Sequence, residues 1–361
     1  MLYLFNKNIL TDMTNKDILN KIKKNNKVFI IAEAGSNHLR NLKRAYKLID
    51  IAKEAGADAV KFQSFTADEI ATKNIKYNKI NKKFKSFSDN LYSFYKKYEL
   101  PKDFNIKLFE YCKEKKIIFL TSVFGEDSLN LTKSFNPIIK IASFESNFFE
   151  LFDKLIKLKK PIIISTGCST ELEIKKIKSF FNKKKYSNYA VMHCGSSYPL
   201  KFNQANLSYI YRLKKIFPNN VIGYSDHTLN ISTSLAAVAM GAKIVEKHFT
   251  ISKKDRAPDS FFSIEKKELK ELVKNIREIE QSIGLEKKII YKEIKEMRLG
   301  RRSYYANNNY KKGMIIKLGM FKALRPYVKN SVTAEKYLDC INKKLKNDIM
   351  INEPLKPLHA C

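Results

Sequence analysis

The sequence predicts an α/β protein: a TIM-type (β/α)8 barrel followed by a small β-rich domain. Three observations carry this. Short runs rich in β-branched and apolar residues alternate with longer amphipathic stretches, the pattern of βαβ crossovers and a parallel sheet. There are eight such runs, the strand count of a closed barrel, whereas a doubly wound sheet usually has fewer. The 361 residues exceed the about 250 of a typical barrel by enough for one further module.

The strand candidates are Val28–Ala34, Ala57–Gln63, Ile117–Val123, Ile138–Ser143, Pro161–Thr166, Tyr189–Cys194, Val221–Ser225 and Lys243–Phe249. Helices are expected over 39–55, 103–116, 126–135, 147–159, 169–183, 205–217, 229–241 and 264–283. The first shows the logic: Leu42, Ala45, Leu48, Ile49 and Ala52 form one apolar stripe at three- and four-residue spacing. Gly56 follows where a left-handed C-cap is expected. The long stretch 66–102 reads as an excursion over one barrel face. Residues 1–26 read as a polar lead-in, 27–284 as the barrel, 285–300 as a charged helical linker and 301–356 as a cap domain. Within the cap, short strands and turns are expected at Arg302–Ala306, Tyr310–Gly313, Met314–Ile316, Leu324–Pro326 and Asn352–Leu355.

Composition narrows the function classes. Apolar residues make up 44% of the chain, enough for a sizeable core. No stretch approaches the roughly 20 apolar residues of a membrane span, and no secretory signal is apparent. Five scattered cysteines without a C-x-x-C pair read as free thiols, which places the chain in the cytoplasm. The net charge of +33 raises the question of a nucleic-acid partner. Of 69 basic residues only nine are Arg, and the lysines spread over helix faces and loops rather than one block. The charge therefore reads as lysine-rich composition, with no nucleic-acid or membrane partner. A basic surface also draws anionic substrates toward the protein.

In a barrel of this type the active site gathers at the C-terminal ends of the strands, and here those ends are polar. In order they carry Glu33, Lys61 and Gln63, Ser122, then Lys140, Ser143 and Glu145, then Ser165, His193, Ser225 and His227, and Glu246 and His248. Ser196 and Tyr198 follow the sixth strand. Burying so many polar groups without partners costs several kcal/mol, so a ligand that satisfies them is the economical explanation. His227 and His248 end adjacent strands, about 4.8 Å apart, and two imidazoles at matching height suit one divalent ion with open positions. Lys61 and Lys140 with nearby hydroxyls suit an anionic substrate. Glu33 and Glu145 are candidate acid–base groups. His193 reads equally as ligand or core histidine; His38 either binds substrate or braces its turn.

These segments, in order, resemble the N-acetylneuraminate (sialic acid) synthases and the relatives that make pseudaminic and legionaminic acids. The resemblance rests on Ile30–His38, Ala55–Gln63, Lys140–Glu145, Pro161–Gly167, Gly223–Thr228, Glu246–Phe249 and Pro258–Asp259. In the tail it rests on Lys311–Gly313, Leu324–Pro326 and Asn352–Leu355, which match an antifreeze-like (SAF) domain. The resemblance implies condensation of phosphoenolpyruvate with an open-chain N-acetylmannosamine-type sugar. The products are a nine-carbon 2-keto acid, most simply N-acetylneuraminate, and phosphate. It implies a divalent ion on His227 and His248: Mn2+, with Mg2+ or Co2+ as alternatives. Lys61, Ser122 and Lys140 would hold the carboxylate side of phosphoenolpyruvate, and Ser143 and Ser225 its phosphate. Ser196 stands where an Asn often meets that phosphate. Gln63, Tyr198, Glu145 and Asp259 would orient the sugar, and Glu145 or Glu33 would move protons. It further implies a domain-swapped homodimer in which Arg325 reaches the sugar's N-acyl group in trans. Phe144 and Pro258–Ser263 lean toward pseudaminate synthases, which use a 2,4-diacetamido-trideoxyhexose; His193–Cys194 before Tyr198 leans back toward the sialic branch. A more distant alternative is another barrel synthase of 3-deoxy sugar acids.

Overall fold

The computed structural model describes residues 18–25, 27–73, 90–284 and 289–360. Eight parallel strands close into a barrel in chain order: β1 (Phe29–Glu33), β2 (Ala59–Gln63), β3 (Ile118–Val123), β4 (Ile139–Ile141), β5 (Ile162–Ser165), β6 (Tyr189–Cys194), β7 (Val221–Asp226) and β8 (Ile244–His248). Closure is made by β1 pairing with β8, with Glu33 opposite His248. A helix α1 (Ile18–Lys24) precedes β1, and α2 (Leu42–Ala55) joins β1 to β2. The β2–β3 connection carries α3 (Ala67–Ile70), α4 (Leu91–Tyr98) and α5 (Lys102–Lys115). The rest of that expected excursion, 74–89, lies outside the described residues. Then follow α6 (Glu126–Thr132), α7 (Phe149–Lys157), α8 (Glu171–Lys183), α9 (Tyr209–Ile216), α10 (Ser232–Ala239) and α11 (Lys266–Ser282), one after each remaining strand.

The caps explain the register of strand and helix. In α2 the Asn41 side chain accepts from the Arg44 N–H, and Gly56 sits at φ 84° where its N–H reaches the carbonyls of Ala52 and Lys53. While β6 keeps its expected span and β7 extends one residue further, to Asp226, most strands are shorter than the apolar runs suggest. In particular β4 ends at Ile141, and Ser143–Glu145 form a 3₁₀ turn beyond it. Ser143 and Glu145 therefore lie on a βα loop, not on the strand itself.

Alternation along each strand sorts the side chains. Outward residues such as Ile30, Val60, Phe119, Ile164, Val191 and Val245 pack under the helices. Inward residues at the N-terminal half, including Ile31, Leu120, Ile163, Met192 and Ile244, form a separate apolar core inside the barrel. Leu19 and Ile22 of α1 join that inner core. Lys23 Nζ donates to the Asn219 carbonyl at 2.6 Å, and Lys243 Nζ to that of Asn25 at 3.0 Å. The part of the polar lead-in that is described thus closes the N-terminal end of the barrel.

The chain divides into two compact units, Met1–Ile283 and Gly284–Cys361. In the second, α12 (Tyr291–Gly300) leads into an antiparallel pair, β9 (Ser303–Ala306) and β10 (Phe321–Leu324). Its own core is built from Ala306, Ile316, Phe321, Val332, Tyr337, Leu345, Ile349 and Leu355. Isolated bridges Tyr305↔Pro354, Tyr310↔Ile349 and Ile315↔Lys344 tie its loops together.

Ile22→Ala is expected to lose about 2 kcal/mol of unfolding free energy through an unfilled inner core, read as a midpoint shift in urea. Lys21→Ala on the exposed face of the same helix should change it by less than about 0.5 kcal/mol. Equal effects would mean that α1 does not pack as described.

Candidate active site

At the C-terminal end of the barrel the inward positions become polar on every strand. They are Glu33, Lys61, Ser122, Lys140, Ser165, Cys194, Ser225 and Glu246, one from each of β1 to β8, and all are buried. They bond to one another across the barrel. Lys61 Nζ lies 2.9 Å from Glu33 Oε2 and 3.6 Å from Glu246 Oε1, and donates to Ser122 Oγ at 2.9 Å. Lys140 Nζ donates to Ser165 Oγ at 2.7 Å and lies 3.8 Å from Glu246 Oε2. Ser225 Oγ donates to Glu246 Oε1 at 3.2 Å, and Gln63 Nε2 to Glu33 Oε1 at 2.7 Å.

The protonation states follow from this wiring. Burial raises Glu33 to about 7, against the opposing pull of Lys61. Burial works equally to lower Lys61, but Glu246 and Glu33 outweigh it and hold the ammonium above its ordinary range. Burial would raise Glu246, yet Lys140 and Lys61 keep it below the usual carboxylate value. Lys140 is lowered, by burial first and by Lys61 among its charged neighbours.

Beside the ring sit the two histidines. The His227 and His248 ring centroids are 5.4 Å apart. With about 2 Å from ion to nitrogen, two rings on one ion have centroids within about 6 Å, so the pair fits a shared ion. His227 Nδ1 is 2.7 Å from the Gly195 carbonyl; its N–H donates there and leaves Nε2 free as a ligand. His248 Nδ1 is buried without a hydrogen-bond partner, and burial followed by the His227 charge drives the ring well below its ordinary pKa. Asp259 Oδ2 lies 4.0 Å from His248 Nδ1 and accepts from the Ser36 N–H and Oγ, each at 2.8 Å. Tyr198 packs on His227 at 4.3 Å between centroids, with Phe262 against both histidines. Among the described residues no group of three or more His, Cys, Asp or Glu is disposed to hold an ion. An ion held here would have these two imidazoles as its protein donors.

A second wall is built around Gly167. A Cβ there would stand 2.1 Å from Ser196 Oγ, 2.8 Å from Ser143 Oγ and 3.2 Å from Cys194 Sγ, so any side chain at this position would displace the two hydroxyls. The Gly167 N–H donates to Ser143 Oγ at 3.0 Å, while Ser196 Oγ is buried with no partner. Glu145, on the turn after β4, also buries one carboxylate oxygen without a partner, and burial raises it to about 7.

The structure therefore brings together Glu33, Lys61, Gln63, Ser122, Lys140 and Ser225 in one ring, with His227, His248, Tyr198 and Asp259 beside it and Ser143, Ser196 and Glu145 on the adjoining loops. Arg325 stands in the second unit, exposed, with Nε donating to the Gly300 carbonyl at 2.7 Å. His193 points outward instead: it bonds to the Ala205 carbonyl at 2.8 Å and stacks on Tyr224. His38 braces its turn, with Nδ1 accepting from the Arg40 N–H at 2.9 Å. Glu246 and Ser165 stand among the polar strand ends read from the sequence but without a role, and Cys194 is not among them. Parity assigns all three to the ring: each lies an even number of residues from an inward core position on its own strand.

The sequence matches the NeuB family over residues 48–288. This chain belongs to the NeuB family. It is 35% identical to the pseudaminic acid synthase of Campylobacter jejuni over 91% of its own length and 96% of that protein's. It is 37% identical to the N,N'-diacetyllegionaminic acid synthase of the same species, over 91% and 99%. Among solved structures, the N-acetylneuraminic acid (sialic acid) synthetase of Leptospira borgpetersenii, crystallised with citrate, superposes with a TM-score of 0.66 at 34% identity, covering 75% of this chain and 90% of that one. The NeuB chain described here is thus an enzyme, with the barrel of its sialic-acid-synthesising relatives.

Glu145 yields a test of the site's electrostatics. Its carboxyl keeps a proton up to about pH 7 when folded but only to its ordinary 4.5 when unfolded, so it withdraws stability as pH rises through that window. Glu145→Gln should gain stability relative to wild type between pH 5 and pH 8, measured by denaturant midpoints at both. A difference that does not change with pH would show the carboxyl to be hydrated and ordinary.

Proposed function

We propose that this NeuB enzyme condenses phosphoenolpyruvate with the open-chain aldehyde of an N-acyl amino sugar to give a nine-carbon 2-keto acid and phosphate. The observation that carries the reading is the ring itself: two buried ammonium groups share one carboxylate, Glu246, beside a pair of imidazoles. The methylene carbon of phosphoenolpyruvate bonds to the aldehyde carbon, and water adds to the neighbouring carbon that bears the phosphate. The C–O bond to phosphate then breaks to leave the keto group, and the two protons of the water end on the new hydroxyl and on phosphate. Lys61, Ser122 and Lys140 face the carboxylate side of phosphoenolpyruvate. Ser143, Ser196 and Ser225 take its phosphate, with the unpartnered Ser196 hydroxyl as a ready donor. Gln63, Tyr198, Asp259 and Glu145 orient the sugar. Glu33, with a pKa near 7, is suited to hold and release a proton at neutral pH. His227 and His248 would hold a divalent ion, Mn2+ by preference, which when bound polarises an oxygen and orients water.

The sugar has two readings. The simpler is an N-acetylmannosamine-type substrate, as for a sialic acid synthase. The second, a 2,4-diacetamido hexose, is favoured by the relatives named for pseudaminic and N,N'-diacetyllegionaminic acid. Both place the reaction in the cytoplasm, in keeping with the cysteines at 112, 168, 194 and 340, which are all free.

Mass spectrometry of products from phosphoenolpyruvate with a panel of 2-acetamido and 2,4-diacetamido hexoses decides between the sugars. Product is expected to vanish in excess chelator and return with Mn2+. Phosphate released only with an arabinose-type phosphate, or full activity in chelator, would overturn the reading.

The C-terminal unit, in the same reading, serves as the SAF-type cap of a domain-swapped homodimer, with Arg325 from one subunit facing the sugar's N-acyl group in the other's barrel. The exposed guanidinium supports this. Arg325→Ala is expected to raise KM for the sugar at least about tenfold, the loss of one charge-assisted contact, with an unchanged melting temperature. Loss of dimers or of solubility instead would make Arg325 structural.

A further inference from the structure

Behind the histidines lies a buried ion pair that the chemistry above does not use. Asp226 and Lys247 are the last paired residues of β7 and β8, and each is 1% exposed. Lys247 Nζ lies 3.0 Å from Asp226 Oδ2. Each immediately precedes a histidine, and by alternation the pair faces outward where His227 and His248 face in. Asp226 Oδ2 also accepts from Thr233 Oγ1 at 2.9 Å and Ser234 Oγ at 2.6 Å, at the start of α10. Its Oδ1 accepts from the Thr228 N–H at 2.9 Å, and Lys247 Nζ donates to the Thr228 carbonyl at 2.6 Å. Both flanks of His227 are thereby fastened to the residue before His248.

Pairing between β7 and β8 ends at Asp226↔Lys247, and His248 is paired with Glu33 on the opposite side of its strand. Past that point the backbone bonds of the two histidines run to other segments, from the Leu200 N–H to the His227 carbonyl and from the Ile264 N–H to the His248 carbonyl. The direct ties between the two histidine segments are those of the Asp226 and Lys247 side chains. Stability does not explain the pair, because neutral residues of similar volume often replace a buried ion pair without loss. We infer that Asp226 and Lys247 are positioning residues that set the spacing of His227 and His248 and thereby the affinity for a divalent ion. This rests on the reading of the two histidines as ion ligands.

The experiment is Mn2+ titration of the metal-stripped full chain, by calorimetry or by loss of the free-ion EPR signal, with thermal unfolding in parallel. Asp226→Asn/Lys247→Met and Asp226→Asn alone are compared with Asp58→Asn. The last weakens the Asp58–Arg277 pair, 2.9 Å, at the other end of the barrel. Expected are folded Asp226 variants that bind Mn2+ about 10–100-fold more weakly and an Asp58 variant that melts lower but binds as wild type. Folded Asp226 variants with wild-type affinity would overturn the inference. So would loss of the fold in both, which would make the pair structural. Wild-type protein that binds no Mn2+ would instead sink the assignment of the histidines, and the inference with it.

Discussion

A strand offers only every second side chain to the inside of a barrel, and in a closed barrel that restriction decides which groups meet. Here the eight inward positions near the C-terminal end hold two lysines, two glutamates, three serines and a cysteine. The pairing of β1 with β8 places Glu33 next to His248, and the pairing of β1 with β2 places it opposite Lys61. A slip of one residue in that pairing would turn Glu246 and His248 under the helices and bring Lys247 inside. The same alternation puts Asp226 and Lys247 in the layer between strands and helices, where Thr233 and Ser234 of α10 meet them. Site and support are two faces of the same strand ends.

Much of this is legible in the sequence because barrels repeat their logic. The eight apolar runs, their order and the polar character of their ends survive unchanged in the structure. Composition and motif do not report parity, and the departures trace to that. His193 stands next to the end of β6, yet it sits one residue out of phase with the inward Cys194 and bonds to Ala205 outside the barrel. Glu246 reads as a flank of His248 until its register opposite Ser225 shows it between two lysines. Ser143 closes the expected fourth strand, but β4 ends at Ile141 and the chain turns, which aims Ser143 at Gly167 and carries Glu145 on the turn. The helix α1 is hidden because only Ile18, Leu19 and Ile22 of a lysine-rich stretch are apolar, and only the last two are buried. Two contacts suffice when the surface they meet is the open end of an apolar core.

The charges of the ring explain how such a site exists without its substrate and how it receives one. A lone buried ion is disfavoured by several kcal/mol, and here no ion is alone: Lys61 faces Glu33 and Glu246, and Lys140 faces Glu246. Of the four, Glu33 is the one that burial leaves near neutral pH, at about 7. With Lys140 charged, a proton on Glu33 takes the cluster from balanced charge to one net positive charge, while burial also lowers Lys140. An anion arriving on Lys61 draws on the positive form and disfavours the Glu33 carboxylate further, since like charges raise a carboxyl pKa. Binding and protonation are linked reciprocally. In the proposed reaction an anion held by Lys61 would therefore favour the proton on Glu33, and its departure would favour release of that proton.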